Sequence, residues 1–207
     1  LKALKDMRAI DPALCAAPGI CCLVRVQRQS PAGPVTELVP AIITEFLPGR
    51  NGTEEVLYLK KKDIPVHSAE MSLAVKQAMR PYVRLFLKTF RQGAGLTVAD
   101  MSINNVLFTP APKIGDAVTR DIARPVLSKA GFTQFAQRLL SFDEVEELFY
   151  PESAVRLVGI LPSWIREVVE EELRIQPLPE GAKQEIRKGL SGLPRGPDAD
   201  GGTHRVW

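Results

Sequence analysis

The sequence predicts an α+β fold, in which a small antiparallel sheet is followed by a long basic helix and then by a helical C-terminal region. Three observations support this prediction. Runs rich in β-branched and aromatic residues occur between residues 20 and 60. An amphipathic segment extends from 69 to 92, and helix signals recur between about 113 and 190. With 207 residues, the chain is long enough to bury a sizeable core.

The first elements are indicated by breaker residues and by alternation. Residues 2–10 are predicted to form a short helix that ends at Asp11-Pro12. From Ile20 to Arg28 apolar and polar residues alternate in part, which is typical of a strand. The segment 29–34 contains two prolines and a glycine, and it is therefore expected to be a loop.

Two further strands are predicted at Ala41–Leu47 and Glu54–Lys60. Between them lies Pro-Gly-Arg-Asn-Gly, which favours a hairpin with a loop of medium length. Pro40 has no amide hydrogen for a ladder, so an edge position is expected there.

The helix predicted at 69–92 begins after Ser68, a residue type that favours the N-cap position, and ends before Gly93. Pro81 lies in its middle and predicts either a kink or the first turn of a second helix. Its apolar positions recur at helical spacing, which predicts a buried face. These positions are Met71, Val75, Met79, Tyr82, Phe86 and Phe90.

The C-terminal half carries two helix-start signals. Ser141-Phe-Asp-Glu144 matches a capping box, and Ser163 precedes an amphipathic segment that ends near Pro177. The inward side of this second segment is predicted to consist of Trp164, Ile165, Val168, Val169 and Leu173.

Composition divides the chain into three regions. Residues 1–109 are expected to form a basic α+β region, 113–190 a helical acidic region, and 191–207 an extended tail. Residues 1–92 hold 14 Lys and Arg against 8 Asp and Glu, a net charge of +6. Residues 141–180 hold 3 against 10, a net charge of −7.

The strongest functional signal is a series of cations that we call the basic stripe. It consists of Lys76, Arg80, Arg84, Lys88 and Arg91. The first four are spaced four residues apart, so a helix displays them on one face. No acidic residue occurs between Glu70 and Asp100. Two interpretations remain open: the stripe binds a polyanion, or it is solvated or paired with acidic residues of the same chain.

Two other features favour contacts with partners. Lys60, Lys61 and Lys62 form a second basic cluster, whose alternative role is to keep a strand edge soluble. Trp207 is the one aromatic side chain in the tail, and we expect it to anchor the tail on another chain.

The sequence contains no evident catalytic or metal motif, and no cofactor is predicted. Asp63, His67 and Glu70 could form a cluster, but Pro65 prevents one helix from aligning Asp63 with His67. Gly93 and Gly95 follow a helix rather than a strand, so a helix stop is favoured over a phosphate loop. Cys15, Cys21 and Cys22 lack zinc and disulfide spacing, which favours a reducing compartment, cytoplasm or organelle matrix.

These observations predict a non-catalytic structural or assembly subunit of a larger complex. Its basic helix would dock on a polyanionic surface, with RNA slightly favoured, and its partners would be other protein subunits. One alternative is a protein–protein adaptor or a peripheral subunit on an anionic membrane, without a transmembrane segment. The other alternative is an enzyme whose site has no linear motif.

Overall fold

A computed structural model describes residues 2–90, 95–116, 119–121, 135–136, 138–139 and 154–193. Its helices are α1 (Lys2–Ile10), α2 (Gly52–Lys61), α3 (Ala69–Thr89), α4 (Ala154–Ile175) and α5 (Glu180–Leu190). Its strands are β1 (Ile20–Ser30), β2 (Gly33–Ile43), β3 (Leu96–Val98), β4 (Val106–Leu107), β5 (Lys113–Ile114) and β6 (Thr119–Asp121). Helices and small antiparallel sheets together confirm the predicted α+β fold.

The antiparallel pairs are β1–β2, β3–β6 and β4–β5. The first pair is a long hairpin, and it corrects the prediction of a loop at 29–34. Only Pro31 and Ala32 lie between the closing pair Ser30 and Gly33. Gly33 has a φ of 110°, a backbone conformation that residues with a Cβ rarely adopt. The second strand therefore begins directly after a tight turn and not at Ala41.

The prediction of a strand at Glu54–Lys60, and with it the hairpin across residues 48–52, is wrong. The segment is the helix α2, and Asn51 is its N-cap. The Asn51 side chain accepts a hydrogen bond from the Glu54 amide at 2.8 Å, and the Glu54 carboxylate accepts one from the Asn51 amide at 3.0 Å. This capping box satisfies amides that would otherwise lack partners, so Asn51-Gly52 begins a helix instead of a hairpin turn.

Helix α3 confirms the predicted N-cap and buried face. Ser68 accepts a hydrogen bond from the Met71 amide at 3.1 Å. The helix continues through Pro81 as one element, so no second helix begins at Pro81. It ends at Thr89 and not at residue 92 as predicted, because Phe90 has an extended backbone and serves as the C-cap. All six predicted apolar residues of this face are buried, and Tyr82 also donates a hydrogen bond to the Ser102 carbonyl at 2.8 Å.

Helix α4 begins earlier than predicted. Pro162 and Ser163 lie inside it, so Ser163 is not an N-cap. The five residues predicted to face inward are all buried, and the helix ends before Pro177 as expected. Helix α3 packs along α4, and one cluster of buried side chains includes residues from 1–109 and from 113–190. The division into these two regions remains a prediction from composition.

Two contacts fix the base of the β1–β2 hairpin. The Glu45 carboxylate accepts a hydrogen bond from the Ala17 amide at 2.7 Å, and it lies 3.6 Å from the Lys113 ammonium. At Gly19, a Cβ atom would lie 1.1 Å from the Ile43 carbonyl oxygen, so only glycine allows the strands to approach there. The hairpin is therefore attached to the body of the protein at its base.

Several predictions lie outside the described residues. They are the capping box at Ser141–Glu144, the Arg91 end of the basic stripe, and the contact of Trp207. The predicted tail, 191–207, is described only as far as Leu193, which is buried.

We predict that Ser68→Ala lowers the free energy of unfolding by about 1 kcal/mol, because the Met71 amide loses its acceptor. Denaturant unfolding measures this difference. Ser68→Asp is the matched control, since its carboxylate keeps an acceptor at the same position and should preserve stability. Equal stability of the Ala and Asp variants would contradict the cap.

Candidate interaction surfaces

The basic stripe faces acidic residues of the same chain. At its N-terminal end, the Lys76 ammonium lies 2.8 Å from a Glu167 carboxylate oxygen on α4. At the other end of α3, the Lys88 ammonium lies 2.6 Å from an Asp11 oxygen, just beyond α1. The stripe thus connects α3 to two other parts of the fold.

The centre of the stripe surrounds one buried carboxylate. Glu172 on α4 has no exposed surface, and it accepts two hydrogen bonds from Arg84, at 2.8 and 3.0 Å. Arg80 donates a third at 3.3 Å and also pairs with Glu171. Gln176 donates a fourth at 3.1 Å, so both oxygens of Glu172 are satisfied. We call Arg80, Arg84, Glu172 and Gln176 the buried ion cluster.

The charges of this cluster depend on one another. Burial alone would raise the pKa of Glu172, but the hydrogen bond and the charge of Arg84, with help from Gln176 and Arg80, hold that pKa below its ordinary value. The hydrogen bonds that Arg84 donates to Glu172 raise the pKa of Arg84 in return. Such a charge is tolerated inside a protein only while its partners remain in place.

These contacts favour the internally paired interpretation for Lys76, Arg80, Arg84 and Lys88. Polyanion binding by these four residues remains a prediction, but a polyanion would have to compete with carboxylates 2.5 to 3.3 Å away. Sequence reasoning missed Glu172 as their partner. Its signal was present, because Glu172 lies four residues after Val168 on the apolar side of α4, where a charged residue needs a partner.

The second basic cluster lies at the C-terminal end of α2 and not at a strand end. There the positive charges of Lys60 and Lys61 complement the helix dipole. The Lys62 ammonium lies 4.2 Å from the centre of the Tyr58 ring, and the Arg50 guanidinium lies 3.6 Å from it. The hydrogen bond and charge of Lys62, with a smaller contribution from Arg50, lower the pKa of Tyr58.

The β1–β2 hairpin forms an exposed surface that the sequence did not single out. Each of its strands has 11 residues, and none of these residues is buried. Residues paired across the ladder share a face, and side chains alternate between the two faces along each strand. By this rule, apolar side chains occur on both faces of the hairpin. One face carries Ile20, Val24, Val35 and Ile43, and the other carries Leu23, Leu38 and Ile42. Phe46, just beyond the hairpin, is 86% exposed.

The charged residues of the hairpin lie toward its turn. Arg28 Nε lies 2.7 Å from a Glu37 carboxylate oxygen, an ion pair whose geometry does not make a hydrogen bond. Arg25 is exposed and has no ion pair with any of the residues that the structure describes. The hairpin is therefore uncharged near its base, and its three charged residues lie between its middle and its turn.

The residues weighed as metal-binding or reactive groups, such as His67 and Cys15, lie in separate parts of the fold. His67 borders a cavity of about 610 Å³ between the start of α3 and α4, together with Ser72 and Lys76. Within the described ranges, His67 has no hydrogen-bonded side-chain partner, and no group of three His, Cys, Asp or Glu could hold a metal ion. Burial raises the pKa of the Cys15 thiol to about 11, which keeps it in the unreactive protonated form.

Comparison with known proteins gives no match, whether with family models, with curated proteins or with solved structures. Among the described helices, none is both long enough and apolar enough to cross a bilayer.

We predict that Arg80→Met combined with Arg84→Met lowers the free energy of unfolding by about 3 to 5 kcal/mol, because it leaves the buried Glu172 without a cation. Chemical denaturation measures the loss. Adding Glu172→Leu to this double variant should restore most of the stability, since it removes the stranded charge.

Lys76→Met is the matched control for this experiment. Its partner Glu167 is half exposed, so the cost should stay below about 1 kcal/mol. A double variant as stable as this control would show that the buried ion cluster contributes little.

The cluster also predicts a pH dependence. The pKa of Glu172 is lower in the folded state than its ordinary value of 4.5. Its contribution is therefore complete above that value and is lost as the pH falls through the folded pKa. Between about pH 6 and about pH 3, the difference in melting temperature between wild type and Glu172→Gln should shrink. A constant difference across this range would contradict the assignment.

Proposed function

We propose that this protein is a non-catalytic assembly subunit that docks on other protein subunits through its β1–β2 hairpin. The observation that carries the proposal is a hairpin of two 11-residue strands with no buried residue and with apolar side chains on both faces. A contiguous apolar surface of this kind is typical of a protein interaction site.

Energetics support the same conclusion. An isolated two-stranded hairpin is at best marginally stable in water, because neither face buries enough apolar surface. Leu23 and Leu38 share a face, and each is more than 60% exposed. A partner that covers this face would supply the missing burial, at roughly 25 cal/mol per Å² of apolar surface.

The second candidate is docking on a polyanion, with RNA slightly favoured over lipid. Lys60, Lys61 and Lys62 support it, because they cluster at one helix end beside the aromatic ring of Tyr58. The basic stripe supports it less, since four of its cations already pair with carboxylates.

We predict that replacing residues 22–41 with Gly-Gly leaves the melting temperature almost unchanged, because no buried residue is removed. The same variant should no longer enter the native complex, as measured by the sedimentation of tagged protein from the cells that produce it.

The control variant is Lys60→Ala, Lys61→Ala and Lys62→Ala, which should still enter the complex, and nuclease treatment should not release it. If the hairpin variant sediments like wild type, the protein-docking proposal is wrong. If nuclease or the lysine variant releases the protein, the polyanion candidate is favoured instead.

A further inference from the structure

The two outer edges of the hairpin differ in their ability to pair with another strand. In an antiparallel ladder, backbone amides alternate between pointing at the partner strand and pointing away from it. The β1–β2 register is continuous from Ile20–Ile43 to Ser30–Gly33. Proline has no amide hydrogen, so within such a ladder it occupies positions whose nitrogen points away.

Pro34 and Pro40 therefore identify the outward positions of β2. They are six residues apart and belong to one alternating set, which also contains Thr36 and Leu38. Two positions of this set lack a hydrogen-bond donor, and each proline ring also obstructs an approaching strand. The outer edge of β2 is thus protected against further pairing.

The outward positions of β1 follow from the same register. They are the partners of the outward positions of β2, namely Cys21, Leu23, Arg25, Gln27 and Gln29. None of them is proline, so every outward amide of β1 can donate. In the part of the chain that the structure describes, β1 pairs only with β2. No described residue pairs with this outer edge at any position from Ile20 to Ser30.

We propose that the outer edge of β1 accepts an extended strand from a partner protein, which becomes the third strand of the sheet. This inference rests on the proposed function and specifies how the hairpin docks. Backbone hydrogen bonds along the edge would provide affinity, and side chains on the two faces would provide specificity.

The charge of β1 defines the chemistry of that strand. Arg28 is paired with Glu37, whereas exposed Arg25 has no acidic partner among the described residues. The incoming strand should therefore carry Asp or Glu opposite Arg25 and apolar residues opposite Cys21 and Leu23. A second copy of β1 fits poorly, because it brings two more arginines and no carboxylate.

Leu23→Pro and Leu38→Pro form a matched pair that tests this edge. Both residues are leucine, they share a face, and they are 65% and 61% exposed. Both occupy outward positions, so neither proline removes a hydrogen bond between β1 and β2. Only Leu23→Pro removes a donor from the open edge.

We expect Leu23→Pro to reduce incorporation into the native complex by about tenfold or more, and Leu38→Pro to reduce it less than about threefold. Hydrogen exchange on the wild-type protein gives a second readout. In the complex, the amides of Leu23, Arg25 and Gln27 should become protected, while those of Thr36 and Leu38 should continue to exchange quickly.

The outcomes separate this inference from the proposed function. If the Gly-Gly replacement of residues 22–41 abolishes incorporation but the two proline variants behave alike, the hairpin docks through its faces and the edge inference is wrong. If the Gly-Gly variant incorporates normally, both docking through the hairpin and strand addition at the β1 edge are wrong. If light scattering of the purified protein shows a dimer that Leu23→Pro alone dissociates, the occupant is a second copy and the acidic partner strand is overturned.

Discussion

The buried carboxylate of Glu172 constrains the rest of this structure. An ionised group with no solvent contact must find its hydrogen bonds and its opposite charge inside the protein, and Arg84 and Arg80 supply both. These arginines lie one turn apart on α3, so the carboxylate fixes α3 and α4 in one relative position. The apolar faces of both helices then meet in a single buried cluster. The hydrogen bonds of Glu172 require specific distances and angles, so they add a directional constraint that the hydrophobic effect by itself lacks.

The same constraint changes what the basic stripe means for function. Lys76, Arg80 and Arg84 pair with carboxylates of α4, so the basic and acidic regions neutralise each other there, and Lys88 pairs with Asp11 beyond α1. A stripe that is paired in this way serves the fold first. The hairpin has the opposite character, because none of the apolar side chains on β1 and β2 is buried in the part of the chain that the structure describes. The hairpin therefore exposes apolar area that a partner could bury, whereas the cations of the stripe are already paired. This difference is the reason for proposing that the partner binds the hairpin.

Prediction from the sequence succeeded where a local pattern was compatible with only one local structure. The apolar periodicity of α3 and the Ser68 cap predicted a buried face and a helix start, and both are confirmed. It failed where a pattern had two solutions. Asn51-Gly52 suits a hairpin turn, yet Asn51 with Glu54 also forms a capping box, and the helix is realised. The partner of the stripe could not be found locally, because Glu172 is separated from Arg84 by 88 residues. Only the interruption of an apolar face by a glutamate indicated that a distant cation was required.

The two outer edges of the hairpin differ, and this difference separates two explanations for an exposed ribbon. Either the ribbon must remain unpaired, or it accepts a third strand. A sheet that only had to remain unpaired would protect both edges, since either one can recruit another chain. Here Pro34 and Pro40 obstruct the edge of β2, whereas β1 has no proline from Ile20 to Ser30. Protection of one edge alone directs pairing to the other and fixes which side of the ribbon a third strand can join. Arg25 adds selectivity to this edge, because an incoming strand without an acidic residue cannot form a cross-strand ion pair with it. An open edge with a selective charge is what a specific docking strand requires, and it is the arrangement that the β1–β2 hairpin has.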